Sequence, residues 1–306
     1  MINNKEIFLG SRNSLLAKAQ TNLAISQLQN VGIKNIKASF LKSKGDILRG
    51  KLFKDLGGKG LFTKEIDNLV IDGSVDFAVH SAKDIPALLD KRLDIGAYLK
   101  REDVRDVLIT KNSKIKKISQ LPKNCLLGSS SPRRVSYIAN YRPDIKIIPI
   151  RGNIETRINK LKKNKIQALI IAQAGVNRLN RKYSELNFSI IPLSKILPSP
   201  GQGAIAIVYK KSNTSNKKIC NLIDNNCTRY ALLAERSLIK KLNGDCFTPI
   251  AAYAHVTKKK LILRARLFSN DAKKFADYKL EGSIEEARKI GVKCALNLIK
   301  NLYKNK

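Results

Sequence analysis

The stretch VHSAKDIP, residues 79–86, sets Lys83 and Asp84 side by side directly after a short apolar run. Residues 76–79 read as a strand, and Pro86 ends any regular continuation. Just beyond a buried strand's end is where open α/β sheets place working groups. A carboxylate there can hold or move a proton, and an ammonium beside it can attract an anion. Taken alone, the stretch fits a solvated ion pair at a surface turn equally well.

Similar turns recur along the chain. Residues 7–9 form a short strand, then Gly10-Ser11-Arg12-Asn13-Ser14 leads into apolar residues at helical spacing. Arg12 and Ser14 therefore sit where backbone amides favour an anion, although Ser14 serves equally as a plain helix cap. After strand-like residues 125–127 comes Gly128-Ser129-Ser130-Ser131-Pro132-Arg133-Arg134. Ser131 as cap and Pro132 at the first helical position make a good helix start. Ser129, Ser131, Arg133 and Arg134 together read as a carboxylate- or phosphate-binding turn. Strand 146–150 runs into Arg151-Gly152-Asn153 and a helix with Arg157 near its first turn. Strand 168–172 runs into Gln173-Ala174-Gly175-Val176-Asn177-Arg178. Arginines at several such turns would face one cleft.

Three loops differ from these. Gly57-Gly58-Lys59-Gly60 lacks the glycine spacing and the Ser/Thr of a P-loop, but suits a mobile loop carrying a cation. GQGAIA, 201–206, matches the dinucleotide pattern, yet prolines 198 and 200 stand where its strand should be. It reads as a return crossing. Cys246, in Asp245-Cys246-Phe247 before Pro249, sits on a tight loop, where a cysteine is either incidental or a covalent anchor.

The elements that would position these groups alternate strand, polar turn and helix, which argues for parallel sheets in βαβ units. REDVRD, 101–106, is a charged connection into a new strand, and the polar stretch 210–218 reads as a linker. A helix over 229–242, strands over 250–256 and 261–268, and a last helix from about 284 to 302 form a small α/β unit. At 306 residues the chain suits two or three domains. The division expected is 1–100 with 198–216, then 101–197, then 217–306.

Composition narrows the function. The formal net charge is +35, from 59 Lys+Arg against 24 Asp+Glu, which invites an anionic partner. With 6% aromatics and no tryptophan there is no base-stacking platform, so nucleic acid is not the expected partner. Five cysteines without a CxxC pair and two histidines fit neither a disulfide framework, a zinc site nor metal catalysis. No run approaches membrane-spanning length and the N-terminus lacks a signal-peptide pattern, so a cytoplasmic protein without membrane contact is expected.

The motifs VHSAKDIP, GGKGLFTKE, REDVRD, GSSSPRR, IRGNIETR, AQAGVNRL, PSPGQGA and ERSLIKKLNGDCFTPI resemble, in that order, those of the porphobilinogen deaminase (hydroxymethylbilane synthase) family. The resemblance runs from about residue 10 to 252. It implies an α/β fold of three domains: two periplasmic-binding-protein-like domains forming a cleft, and a small C-terminal domain carrying the cofactor. It further implies a monomer that condenses four porphobilinogen molecules head to tail, with loss of ammonia, into the linear tetrapyrrole hydroxymethylbilane.

Carried over by motif, Cys246 is the thioether anchor of a covalent dipyrromethane cofactor and Asp84 is the catalytic carboxylate. Lys83, Ser81, Ser129, Ser131, Arg133 and Arg134 are implied to hold the cofactor. Arg12, Ser14, Lys59, Arg151, Arg157 and Arg178 are implied to bind the acetate and propionate groups of substrate. The chain departs from the common pattern at Ala82, Pro132 and Asp245, and at Asp55 near the glycine-rich loop. Two other readings of the residues are a non-catalytic two-lobed anion-binding protein and a nucleic-acid binder driven by charge.

Overall fold

The structure, a computed structural model, describes residues 6–41, 63–181, 183–245, 247–258 and 260–303. Lys59 with its glycine-rich loop, and Cys246, lie outside the described residues.

Two five-stranded sheets share one design. The first joins β1 (Ile7–Arg12), β2 (Ile36–Leu41), β3 (Phe77–Ser81), β4 (Leu93–Tyr98) and β10 (Ile205–Lys210) in the order β2-β1-β3-β10-β4. The second joins β5 (Asp106–Thr110), β6 (Leu126–Gly128), β7 (Lys146–Ile148), β8 (Ala168–Ala172) and β9 (Asn187–Ile191) in the order β7-β6-β8-β5-β9. In each, three strands run parallel and the fourth runs against both of its neighbours. The sheets are therefore mixed, not parallel throughout as the βαβ succession suggested. The reversed strands, β5 and β10, are those the chain lays down on arriving from the other sheet. Their runs, DVLIT and IAIVYK, are buried almost end to end, and such a run carries no record of strand direction.

Helices pack on both sheets and start on side-chain caps. For α1 (Leu15–Asn30), Ser14 Oγ accepts from Ala17 N at 3.2 Å. Next come α2 (Lys64–Asp72), α3 (Pro132–Tyr141), α4 (Ile154–Lys162) and α5 (Gln173–Leu179). Ser131 caps α3 and Asn153 caps α4, as the sequence suggested for the first. The stretch read as a linker instead ends β10 and opens α6 (Thr214–Ile223). Asn213 accepts from Asn216 N at 2.9 Å, and Cys220 and Ile223 bury the helix's inner side.

The C-terminal part is an antiparallel meander of β11 (Ile250–Thr257), β12 (Lys260–Phe268) and β13 (Phe275–Ser283). One face is covered by α7 (Asn226–Lys241) and α8 (Ala287–Tyr303), through Leu232, Leu238, Leu263 and Leu298. The two helices approach closely at Gly291, where a Cβ would lie 2.2 Å from the Ala234 carbonyl oxygen. β13 is absent from the sequence reading because it is mostly exposed and lacks an apolar run. One apolar core joins this meander to the first sheet, through Ile66, Ala206 and Leu263. A second places Ala251 and Phe268 against Leu127 and Ile138 of the second sheet.

Candidate active site

The groups singled out in the sequence follow the carboxyl ends of parallel strands. Arg12 is the last residue of β1, and Lys83 and Asp84 follow β3. The serine–arginine turn follows β6, Arg151 follows β7, and Arg178 lies on the helix after β8. These ends are where an open α/β sheet presents groups to a ligand.

Asp84 closes a single 3-10 turn, Ala82–Asp84. The turn is fixed at both ends: Ala82 N donates to Ala204 O at 3.0 Å, and Arg236 of α7 donates to Pro86 O at 2.9 Å. Beside it opens a cavity of about 200 Å³. Lys83 and Asp84 form one wall, Ser131 and Arg133 another, and Ser199 and Pro200 of the return crossing a third. The last wall is the loop after α7, with Asn243, Gly244, Asp245 and Thr248. The Asp245 carboxylate accepts from the N–H groups of Phe247 and Thr248 at 2.9 and 3.0 Å, making a tight turn. Asp84 and the residue preceding Cys246 thus line one cavity.

Cations crowd this space. The Lys83 side chain is open to solvent, yet protein is packed closely around it. Its pKa is pushed down by burial, and further by Arg134 and Arg157, while Asp84 and Asp106 oppose the shift. Burial likewise brings the Arg157 guanidinium down to about 10, Arg134 adding and Asp84 opposing. Arg157 remains cationic near neutral pH, and both groups lie within electrostatic reach of Asp84.

Arg133 and Arg134 are buried, and each has a structural partner. Arg133 donates to Asp106 at 2.8 Å and to Leu197 O at 2.6 Å; Arg134 reaches Asp106 at 2.7 and 3.1 Å. Gln202 donates to the same carboxylate at 2.8 Å. Burial alone would raise the Asp106 pKa, but the two guanidinium groups outweigh it and hold the carboxyl well below the usual range. The pair therefore locks the α3 start to β5 and the return crossing. Among the described residues, Arg133 Nε is buried with no hydrogen-bond partner.

The other predicted residues divide. Ser81 exchanges hydrogen bonds with Gln20 at 2.8 and 3.1 Å, and buried Ser129 accepts from Ser131 N at 3.4 Å. Arg178 donates to Gly203 O at 2.5 Å on the return crossing, and burial brings it down to about 10 against the pull of Glu102. Arg12, Ser14, Arg151 and Arg178 do not line the 200 Å³ cavity.

Sequence reasoning missed Asp106, Gln202, Glu235 and Arg236. The one available signal was Asp106, an acid adjoining a fully buried run and preceded by four charged crossing residues. The other three have no local mark, since their partners lie far along the chain.

Residues 7–218 match the family model described as porphobilinogen deaminase, dipyromethane cofactor binding domain, and 230–300 match the C-terminal domain model of the same family. The chain belongs to the porphobilinogen deaminase family. Porphobilinogen deaminase of Carboxydothermus hydrogenoformans is 38% identical over 296 residues, covering 96% of this chain and 94% of that protein. That of Rickettsia prowazekii is 42% identical over 259 residues, covering 83% and 84%. The Orientia tsutsugamushi porphobilinogen deaminase is 36% identical over 299 residues, covering 97% and 99%. Among solved structures, substrate binding domain 2 of Lactococcus lactis GlnP is similar at a TM-score of 0.45 and 16% identity, over 72% of this chain and 88% of that one.

A porphobilinogen deaminase is a transferase of tetrapyrrole and heme biosynthesis, with porphobilinogen as substrate and dipyrromethane as cofactor. The residues present fit that cofactor chemically. Pyrroles bearing acetate and propionate groups need several cations and hydroxyls around one carboxylate; Lys83, Ser131, Arg133 and Asp84 line one cavity, with Arg157 within electrostatic reach.

Proposed function

We propose that this chain builds hydroxymethylbilane from four porphobilinogen molecules, with Asp84 as the catalytic carboxylate and Cys246 as the thioether anchor of dipyrromethane. The observation that carries the reading is the single cavity lined by both Asp84 and Asp245, with Lys83 beside them. When bound, dipyrromethane supplies the free pyrrole α-carbon to which the first substrate ring is joined.

Asp84 accepts the pyrrole N–H of incoming porphobilinogen. As ammonia leaves, positive charge grows on that ring and the carboxylate stabilises it. The same carboxylate then takes up and passes on the proton lost from the ring α-carbon. Lys83 and Arg157 bind the ring carboxylates. Arg133 and Arg134 hold the α3 turn, so that Ser129 and Ser131 face the cofactor's carboxylates. Arg12, Ser14, Arg151 and Arg178 extend the cationic row for later rings, and Lys59 is a further substrate-binding cation.

The working unit is a cytoplasmic monomer divided at 1–100 with 198–216, 101–197 and 217–306, with no nucleic-acid or membrane partner. Among the described residues no helix is long and apolar enough to cross a membrane.

Intact-mass measurement before and after adding porphobilinogen tests this reading. A fixed extra mass of two linked pyrroles at Cys246, followed by a ladder of single-ring additions, is expected. An unmodified mass throughout, with substrate unconsumed, would remove both the anchor and the activity.

A further inference from the structure

The face of the C-terminal sheet turned away from α7 and α8 carries an arrangement the reaction does not use. Arg264 on β12 stands directly opposite Lys279 on β13. Like charges so placed repel. Among the described residues neither has a carboxylate partner. Two acids flank Lys279 on β13: Asp277 is already taken, accepting from Arg266 at 2.6 and 2.5 Å, and exposed Glu281 does not line the groove described next.

Across from them, α3 and the segment after β9 close a groove of about 420 Å³, contributing Tyr137, Ser194 and Lys195. Lys195 lies over the Tyr141 ring at 5.6 Å, a contact that leaves its charge unbalanced. Beside the groove, on β11, the His255 ring stacks on Tyr253 at 5.2 Å, and its Nδ1 is buried without a hydrogen-bond partner. Burial pushes the His255 pKa down, and Arg264 and Lys279 push it further. Arg264, Lys279 and Lys195 thus line open space whose lining carboxylate, Asp277, is already paired to Arg266.

We infer that this groove binds a small multivalent anion, its oxygens shared between Arg264 and Lys279 on the sheet and Lys195 on the facing segment. The arginine fork can grip two oxygens of one group, and the two ammonium groups suit a ligand with at least two negative charges. Such a ligand would relieve the cross-strand repulsion and join the C-terminal sheet to the second lobe. Phosphate-type and polycarboxylate ions share this chemistry.

The test uses the full-length holoprotein titrated with pyrophosphate and, separately, with citrate at constant ionic strength. Calorimetry and thermal unfolding are followed for the wild type, R264Q/K279Q and a distant control, K293Q/K300Q on α8. The expected result is saturable binding with a raised unfolding midpoint. Affinity should fall at least tenfold in R264Q/K279Q and stay unchanged in the control. Because the substitution removes a repelling pair, the anion-free variant should unfold no lower than the wild type. Anions also attract the cleft cations, so location is read by NMR from the two histidines. The His255 ring signals should move with saturation while those of His80, hydrogen-bonded to Asp67 at 2.9 Å, stay in place. A response to pyrophosphate alone assigns phosphate chemistry, and to citrate alone polycarboxylates. Equal affinity in wild type and R264Q/K279Q, or an unmoved His255, would overturn the site.

Discussion

Glu235 of α7 takes both terminal nitrogens of Arg101, at 2.7 and 3.0 Å, with both side chains shielded from water. The same carboxylate accepts Gly201 N at 2.6 Å and Ala254 N at 2.7 Å, and Arg101 also donates to Gln202 O at 2.9 Å. One acid therefore fastens the outward crossing, the return crossing and β11 together. Replacing it leaves a buried guanidinium and two buried N–H groups unmet. Glu235→Ala is expected to lose about 3–5 kcal/mol of stability in urea unfolding. A loss below about 1 kcal/mol would mean that water replaces the carboxylate, and that the three segments are held by other contacts.

Asp106 gives a prediction with a definite pH sign. Its pKa is lowered on folding, so its stabilisation is complete above the unfolded carboxylate value of about 3.9 and fades as pH falls below it. Asp106→Asn should cost about 3–5 kcal/mol at neutral pH, and the gap from wild type should narrow in acid. Unfolding curves at several pH values measure the gap; one that does not change with pH would show that the charge of Asp106 is not what matters.

Lys83 should govern the alkaline side of activity. Burial lowers its pKa, so it loses its proton, and its hold on carboxylates, at lower pH than an ordinary lysine. A guanidinium stays charged over that range, so Lys83→Arg should move the alkaline limb of kcat/KM to higher pH. An unmoved limb would assign it to another group.

Gly201 bears on the catalytic turn from behind. Its φ is +76°, and a Cβ there would come within 2.8 Å of Lys83 N. Gly201→Ala should displace the Lys83–Asp84 turn and lower kcat/KM by about tenfold or more, for a strain of about 1–3 kcal/mol. Unchanged kinetics would mean that the turn tolerates the shift.

Asp84→Asn keeps the shape of the turn and removes the charge. Turnover of porphobilinogen is expected to drop about 10²- to 10⁴-fold while unfolding is little changed. Near-normal turnover would move the catalytic assignment elsewhere.

How far the sequence reached follows the range of the interactions. Caps at Ser14 and Ser131 could be read because cap and helix lie within four residues of one another. The run before Asp84 could be read because its apolar residues are contiguous. Strand direction in β5 and β10 could not, nor could β13, which is largely exposed. The α6 start was taken for linker because cap residues and linker residues have the same polar composition. For Arg133 and Arg134 the sequence indicated an anion, and the structure supplies one of the chain's own in Asp106. Whether that anion is internal or a ligand depends on a contact between distant segments, which local pattern does not contain.

The exchange of strands between the sheets also sets an order in time. β10 lies between β3 and β4, so during synthesis β4 cannot join the first sheet until residue 210 has been made. Until then β3 offers an open edge and β4 has no partner, both exposed to any neighbouring chain. The first lobe, although it starts at the N-terminus, is completed only after the second lobe has been laid down. A growing chain of this design cannot finish its lobes one by one, and its exposure lasts from the making of β4 until β10 emerges, while the whole second sheet is being laid down.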